Sequence, residues 1–153
     1  MIEILEQTSL FKGLSYEYLE GIASFCVHES LSDGDMLIQE DDTENSDIFI
    51  LSEGSVEIVS NNTGVTSGEV VLSSEDKEVF GEISWLTNAK RTASVRCHGG
   101  AEVIRIDGKK LMQYLEANPG VGFVITRRIA TVLSQRMEES NRLLKQILWN
   151  KQI

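Results

Sequence analysis

The spacing of apolar residues changes twice along this chain of 153 residues, and no other feature of the sequence restricts the fold as strongly. From residue 1 to 27 the apolar residues recur mostly at helical spacing, with a break at Gly13 and with Ser15 in place to cap a second helix. From about residue 30 to 106, short runs alternate apolar and polar side chains, which is the pattern of half-buried strands. Helical spacing returns after Gly108. The sequence therefore predicts a β-rich middle between two helical ends.

The central segment predicts an antiparallel sandwich or roll, because its short strands follow one another at near-regular spacing and are separated by turn residues. The predicted strands contain Met36/Ile38, Ile48/Ile50, Val56/Ile58, Val70/Leu72, Ala93/Val95/Cys97 and Ile104/Ile106. The predicted turns are Asp33-Gly34, Glu53-Gly54, Asn61-Asn62, Gly64, Gly99-Gly100 and Asp107-Gly108.

Two helices are predicted after the last strand. A short helix over residues 109–117 ends at Asn118, because Pro119 disfavours a helical conformation in the residue before it. A long helix then runs from about Val121, and if it continues to Asn150 it measures about 45 Å. One small roll cannot cover that length, so the apolar residues between 143 and 149 should pack on something else. A homodimer through this helix is the simplest solution, and a frayed or folded-back tail is the alternative.

The net charge restricts the partners. The chain carries 24 acidic and 14 basic side chains, a formal charge of −10. Such a surface repels phosphate backbones and anionic headgroups, so neither nucleic acid nor membrane is expected as a partner, although a small anion needs only one basic site. No apolar run reaches the length of a membrane span and the N-terminus lacks a signal-peptide pattern, so we expect a cytoplasmic protein. Cys26 and Cys97 lie in apolar stretches and are expected to be buried, reduced thiols.

The strongest functional signal is the segment V-F-G-E-I-S-W-L-T-N-A-K-R-T-A-S-V-R, residues 79–96. Gly81 lets the backbone turn and leaves space for a ligand, and residues 82–86 can form a short helical turn whose free N–H groups attract an anion. Arg91 follows Gly81 by ten residues, so a strand–turn–strand can bring its planar guanidinium back over the turn, where it suits phosphate oxygens. Glu82 fits beside an anion if it accepts from a hydroxyl such as a ribose 2′-OH. A phosphate next to a free 2′-OH describes a 3′,5′-cyclic nucleotide.

These residues carry a resemblance to a known family. The runs Gly81-Glu82-Ile83-Ser84 and Arg91-Thr92-Ala93-Ser94-Val95 look like the phosphate-binding cassette of cyclic-nucleotide-binding domains. That family includes catabolite activator proteins, regulatory subunits of cAMP-dependent protein kinase and cyclic-nucleotide-gated channels. Residues 10–15 are similar to the family's N-terminal entry, residues 48–56 to an early strand and turn, and residues 103–107 with the helices after them to the bacterial members.

The resemblance implies an α+β fold, an antiparallel β-roll (a double-stranded jelly roll) with N-terminal helices and a long C-terminal helix. It further implies one cyclic-nucleotide-binding domain over residues 1–153. Its expected parts are N-terminal helices at 1–29, the roll at 30–107 with its cassette at 80–95, and C-terminal helices at 108–153.

The resemblance also implies a role for each cassette residue. Arg91 would pair with the cyclic phosphate, Glu82 would accept from the ribose 2′-OH, and Gly81 would allow close approach. The backbone N–H groups of Ser84 and Thr92 would bind phosphate oxygens. The C-terminal helix would close over the base as a lid and pass the signal to a protein partner or a dimer interface. The predicted ligand-binding residues are Gly81, Glu82, Ile83, Ser84, Arg91, Thr92 and Ala93.

The sequence leaves the base of the ligand open. In family members that prefer cGMP, a threonine directly after the arginine is common, because its hydroxyl can meet the guanine amino group. Thr92 also tolerates cAMP, and a β-branched residue equally suits a strand. Both cAMP and cGMP stay candidates, and no metal or other cofactor is predicted.

One stretch departs from the family pattern. Residues 40–47, E-D-D-T-E-N-S-D, lack the usual Gly-Asp turn, run about one residue longer and carry five carboxylates. They also lack the sharp-turn glycine and closing glutamate of a calcium loop, so a solvated acidic loop is expected. Glu82 and Arg91 have a structural alternative as a plain ion pair between strands. Lys90 is expected to be solvated, and Trp85 to pack the short helical turn onto the core.

Catalysis is not predicted. His28 and His98 stand alone, so the histidine-rich metal site of cupins, another family of small β-rolls, cannot be built. The sequence has neither a Walker-type G-K-[ST] nor a G-x-S-x-G motif.

The favoured hypothesis is therefore a cyclic-nucleotide sensor. The alternative is a nucleotide-silent dimerisation or docking module of the same fold, which the departure at residues 40–47 supports slightly. A transcription regulator would require the chain to be part of a longer protein with a DNA-reading domain.

Overall fold

The computed structural model describes residues 1–59, 70–73, 79–91 and 93–151. The helices are α1 (Ile2–Gln7), α2 (Tyr16–Ala23), α3 (Glu82–Thr87), α4 (Gly108–Ala117) and α5 (Pro119–Lys151). The strands are β1 (Cys26–Leu31), β2 (Met36–Ile38), β3 (Ile48–Val59), β4 (Val70–Ser73), β5 (Val79–Phe80) and β6 (Ser94–Ile106). The order confirms the predicted β-rich middle between helical ends.

In the part of the chain that the structure describes, six strands form one antiparallel sheet that is built around two long strands. β3 and β6, of 12 and 13 residues, pair with each other along most of their length. β6 also pairs with β1 and β2, and β3 also pairs with β4 and β5. Because the short strands attach to different halves of the long ones, the sheet closes into the predicted jelly roll.

The first strand starts earlier than the sequence indicates. Helical spacing predicts a helix as far as residue 27, but α2 ends at Ala23 and β1 begins at Cys26. All six residues of β1 pair with residues 101–106 of β6, and this long-range ladder outweighs the local spacing. Val27, where the predicted helical segment ends, is an exposed residue of β1.

Two of the predicted turns are β-bulges inside the long strands. Glu53 and Gly54 lie within β3, and Gly99 and Gly100 lie within β6. Gly54 pairs with Ala101, and the next residue of β3 pairs with His98, so the intervening glycines of β6 bulge out of the ladder. Gly54 has φ +89°, which lets a strand bend without ending. The predicted turns at Asn61-Asn62 and Gly64 lie outside the described residues.

The two faces of the sheet belong to two hydrophobic cores, because successive strand residues point to opposite faces. One core packs the sheet against the helices and contains Ile48, Ile50, Ile104, Ile106, Trp85 and the buried residues of α1, α2, α4 and α5. The other fills the roll and contains Leu37, Ile38, Phe49, Leu51, Val56, Phe80, Val95, Cys97, Ala101 and Val103.

The predicted long C-terminal helix is present as α5, whose 33 residues extend over about 50 Å. Its first half packs on the helical core through Ile125 and Ile129, and Arg128 Nη1 donates to Leu10 O at 3.0 Å. Its last turns carry the exposed apolar side chains Leu143, Leu144, Ile147, Leu148 and Trp149. Within the described part of the chain, no helix combines the length and hydropathy needed to cross a bilayer.

Candidate functional site

A cavity of about 330 Å³ lies where the open end of the roll meets α5. Its volume falls in the range of pockets that hold small ligands. Apolar strand residues form its inner wall, the cassette forms one side, and α5 covers it. The lining residues are Ile38, Ile58, Phe80, Gly81, Glu82, Ile83, Ser84, Arg91, Ala93, Val95, Leu133, Arg136, Met137 and Ser140.

Gly81 forms the tight turn that the sequence predicts between β5 and α3. It has φ +86°, a left-handed conformation that side-chain-bearing residues rarely adopt. A Cβ atom here would lie 2.7 Å from both Asp47 O and Arg91 Nη1. Only glycine fits, because the cassette arginine and the loop before β3 both press on this position.

Arg91 is a buried cation at the cavity wall, with 3% of its surface exposed. Its Nη1 donates to Gly81 O at 3.1 Å and its Nη2 donates to Asp47 O at 2.8 Å. Burial lowers the pKa of the guanidinium, and the carboxylates of Asp42, Asp47 and Glu82 oppose that change. The group stays protonated, and the two bonds use two of its five N–H donors, so an anion in the cavity meets a charged group with donors to spare.

Glu82 lies at the start of α3 and is 4% exposed. It does not pair with Arg91, which was the structural alternative; its Oε1 accepts from Arg136 Nη1 of α5. Arg136 Nη2 also donates to Val79 O at 2.6 Å. The carboxylate predicted to meet a ribose hydroxyl is thus bonded to α5, which ties this helix to the cassette.

Arg136 was not among the residues predicted from the sequence. It lies 54 residues from Glu82, so local spacing could not pair the two. A signal was nevertheless present, since Arg136 follows Leu133 by three positions on the apolar stripe of a helix. A charged residue in such a stripe needs a buried partner.

The loop at residues 40–47 does more than present solvated charge. Asp41 N donates to Arg91 O at 2.9 Å, and Arg91 N donates to Asp42 O at 3.0 Å. Glu40 N donates to Ser94 Oγ at 2.9 Å. The main chain of the loop therefore holds the cassette arginine in place. Its role was missed because charge content alone does not reveal main-chain pairing.

The other residues singled out by the sequence separate into two groups. Ile83, Ser84 and Ala93 line the cavity with Gly81, Glu82 and Arg91, whereas Thr92 lies outside the described residues. Lys90 is largely exposed, with its Nζ 3.4 Å from Asp41 Oδ1. Trp85 is buried in the helical core as predicted, and its Nε1 donates to Gly108 O at 2.8 Å.

Known proteins resemble this chain in sequence and in structure. The sequence model of the cyclic nucleotide-binding domain family matches residues 28–118. The cyclic nucleotide-gated channel beta-3 of Mus musculus is 24% identical over an alignment 169 residues long, and the alignment covers 96% of this chain and 24% of the channel. The curated relatives are much longer proteins, and the chain spans between 14% and 25% of their length.

Two solved structures illustrate the shared fold. A cyclic nucleotide-binding domain from Methylobacillus flagellatus KT superposes with a TM-score of 0.78 at 22% identity, covering 95% of this chain and 81% of that one. The regulatory domain of Toxoplasma gondii PKA, crystallised with cAMP, gives a TM-score of 0.63 at 22% identity, covering 74% of this chain and 42% of that one. Since the family match alone covers more than half of the sequence, the chain belongs to the cyclic nucleotide-binding domain family.

Proposed function

We propose that this chain is a sensor of a cyclic mononucleotide, cAMP or cGMP, which binds in the cavity beneath α5. The observation that carries the proposal is the convergence of three features on one cavity: the buried Arg91, the left-handed turn at Gly81 and the start of α3. A buried cation beside a close backbone approach suits a small anion. The apolar strand residues opposite suit a flat base.

Each cassette residue has a role in this proposal. Arg91 pairs with the cyclic phosphate, and Glu82 accepts from the ribose 2′-OH. The backbone N–H groups of Ser84 and Thr92 bind phosphate oxygens, and Gly81 lets the phosphate approach the chain. The first N–H groups of a helix lack intrahelical acceptors, which favours an anion at the start of α3. Ile83 and Ala93 complete the wall.

The ligand would act on α5 through the contact between Glu82 and Arg136. This helix supplies the lining residues Leu133, Arg136, Met137 and Ser140, so a nucleotide must contact it or displace it. A ribose hydroxyl on Glu82 changes the partners of a carboxylate that now holds Arg136. If the nucleotide binds one position of α5 better than another, it shifts the helix, and a protein partner or dimer interface can read that shift.

We further propose that residues 1–153 act as one regulatory domain in the cytoplasm, and not as an enzyme. The family description names binding as its activity. Cys26 and Cys97 are free thiols, and burial raises the pKa of Cys26 to about 12, which keeps it protonated and unreactive. Free, unreactive thiols fit a reducing compartment.

Thermal unfolding with cAMP, cGMP and 5′-AMP tests the sensor function. A nucleotide at 100 times its dissociation constant should stabilise the fold by about 2.7 kcal/mol and raise Tm by several degrees. 5′-AMP is the matched control for cAMP, because it carries the same base and sugar without the cyclic phosphate. The better of the two cyclic nucleotides also identifies the base. If neither raises Tm at millimolar concentration, the cavity is silent and the chain is a dimerisation or docking module.

We propose a second copy of the chain as the partner of the exposed end of α5. Four apolar side chains share one face there: Leu143, Leu144, Ile147 and Leu148. Ile147→Glu should convert a dimer to a monomer in sedimentation equilibrium, because it places a charge in that face. Gln146→Glu is the control, since it adds the same charge to a neighbouring position outside the apolar face and should leave the dimer intact. A wild-type chain that stays monomeric at high concentration would exclude this interface.

A further inference from the structure

The segment formed by Ser46 and Asp47 lies between the starts of α3 and α4. Gly81, which precedes α3, approaches it so closely that a Cβ atom would lie 2.7 Å from Asp47 O. Gly108, the first residue of α4, approaches from the other side, where a Cβ would overlap Ser46 O. The segment is thus packed between the starts of α3 and α4. Because this packing is close, a displacement of one helix start also displaces the other.

Asp47 is bonded to groups on both sides of this segment. Its main-chain oxygen accepts from Arg91 Nη2 at 2.8 Å, and its carboxylate Oδ1 accepts from Gly108 N at 3.1 Å. Its Oδ2 lies 3.4 Å from Arg105 Nη1. Arg105 is itself fixed, because its Nε donates to Glu29 at 2.7 Å. One residue therefore contacts the cassette arginine, a fixed cation of β6 and the first residue of α4.

The hydrogen bond from Gly108 N to Asp47 Oδ1 lies at the first residue of α4. The N–H groups in the first turn of a helix have no intrahelical acceptor, so Asp47 supplies one that α4 lacks. A carboxylate at this end also interacts favourably with the helix dipole. From α3, Trp85 Nε1 donates to the carbonyl of the same Gly108. The loop before β3 and the cassette helix α3 are therefore both bonded to Gly108, where α4 begins.

We propose that Asp47 is a positioning residue that links occupation of the phosphate site to the start of α4 and so to α5. The identity of the ligand rests on the proposed function, whereas the link itself does not. An anion at Arg91 draws the guanidinium toward the cavity and so weakens its bond to Asp47 O. When that bond weakens, Asp47 is free to shift, and Gly108 shifts with it. Because α4 leads directly into α5, the displacement reaches the helix that covers the cavity.

The link can be tested without any nucleotide, by a double-mutant cycle on the full chain. The readout is the hydrogen-exchange rate of the Gly108 amide, measured by NMR, which reports its bond to Asp47. Arg91→Lys should raise that rate about threefold or more, and should raise it no further in an Asp47→Ala background. Asp47→Asn keeps an acceptor and should restore most of the coupling. Arg91→Gln serves as a second variant. If replacing Arg91 raises the Gly108 exchange rate equally in the wild-type and Asp47→Ala backgrounds, the link is overturned.

The second measurement uses cAMP and the fluorescence of Trp85. Trp149, which is exposed, is replaced by phenylalanine, so that emission comes from the buried Trp85 beside Gly108. Saturating cAMP should change this emission, and Asp47→Ala should reduce the change about twofold or more. Asp42→Ala is the matched control, because it removes another carboxylate near Arg91 that has no bond to Gly108. It should leave the cAMP-induced change intact.

The outcomes separate the two proposals. If neither cyclic nucleotide binds the wild-type chain, the sensor function fails, and the exchange cycle still decides whether Asp47 links Arg91 to Gly108. If cAMP binds and Trp85 responds equally in wild type and Asp47→Ala, the link fails and the sensor function stands. An equal loss in Asp42→Ala would assign the effect to the charge of the loop and would also overturn the link.

Discussion

Arg91→Gln should lower the affinity for the better cyclic nucleotide about 100-fold, the cost of removing one partner of a buried, hydrogen-bonded charge pair. Arg91 is almost fully buried at the cavity wall, so solvent screens its charge only weakly. Glutamine keeps hydrogen-bonding capacity and loses the charge and the planar fork that suits a phosphate. Arg91→Lys, which keeps the charge alone, should lose less. Isothermal titration calorimetry measures the change.

The control is Arg96→Gln, which removes the same charge five residues further along the chain. Arg96 pairs with Glu57 and does not line the cavity. Its replacement should leave nucleotide affinity within about twofold. Circular dichroism must first establish that each variant is folded, because Arg91 also holds the carbonyls of Gly81 and Asp47. A folded Arg91→Gln variant with unchanged affinity would contradict the assigned role.

The part of the site that the sequence could predict is the part encoded within a few residues. Gly81, Glu82 and Arg91 lie within one strand–turn–strand, so their spacing alone brings them to one end of the roll. The alternating strands were predictable for the same reason, since period-two patterning is a local property. Thr92 belongs to this local group, and its predicted contact with the base stays a prediction.

The features of the fold and of the site that the sequence did not predict all depend on contacts between distant segments. Arg136 reaches Glu82 across 54 residues, and the loop at residues 40–47 reaches Arg91 through main-chain groups that carry no side-chain signature. The glycines read as turns in β3 and β6 became bulges because the two long strands continue to pair around them. Burial of apolar strand faces stabilises that continuous pairing more than local turn propensity opposes it.

Local contacts and contacts from distant segments both act on the same two cassette residues, Arg91 and Glu82. Arg91 is placed by the local turn, yet three of its hydrogen bonds are made with the loop before β3. Glu82 is placed by α3, yet its partner comes from α5. A ligand that changes the partners of both residues therefore acts on two distant segments at once. This arrangement suits a sensor better than a rigid binding pocket.

Gly81→Ala should destabilise the fold by about 3 kcal/mol, the sum of a left-handed backbone cost of about 1–2 kcal/mol and an overpacking cost of similar size. The overpacking arises because the new methyl group would meet Asp47 O and Arg91 Nη1, each at 2.7 Å. Neither can retreat freely, since the two atoms belong to groups that are bonded to each other. The displaced Arg91 should also lower nucleotide affinity at least about tenfold. Urea unfolding and calorimetric titration measure the two effects.

Gly99→Ala separates the clash from the backbone cost. Gly99 has φ +81°, close to that of Gly81, but no atom lies within 4 Å of where its Cβ would stand. Alanine there should therefore cost only about 1–2 kcal/mol and leave nucleotide affinity unchanged. The difference between the two variants isolates what close contact with Asp47 and Arg91 contributes. If both variants lose the same stability and neither loses affinity, Gly81 serves only the turn, and the close packing around Arg91 has no part in binding.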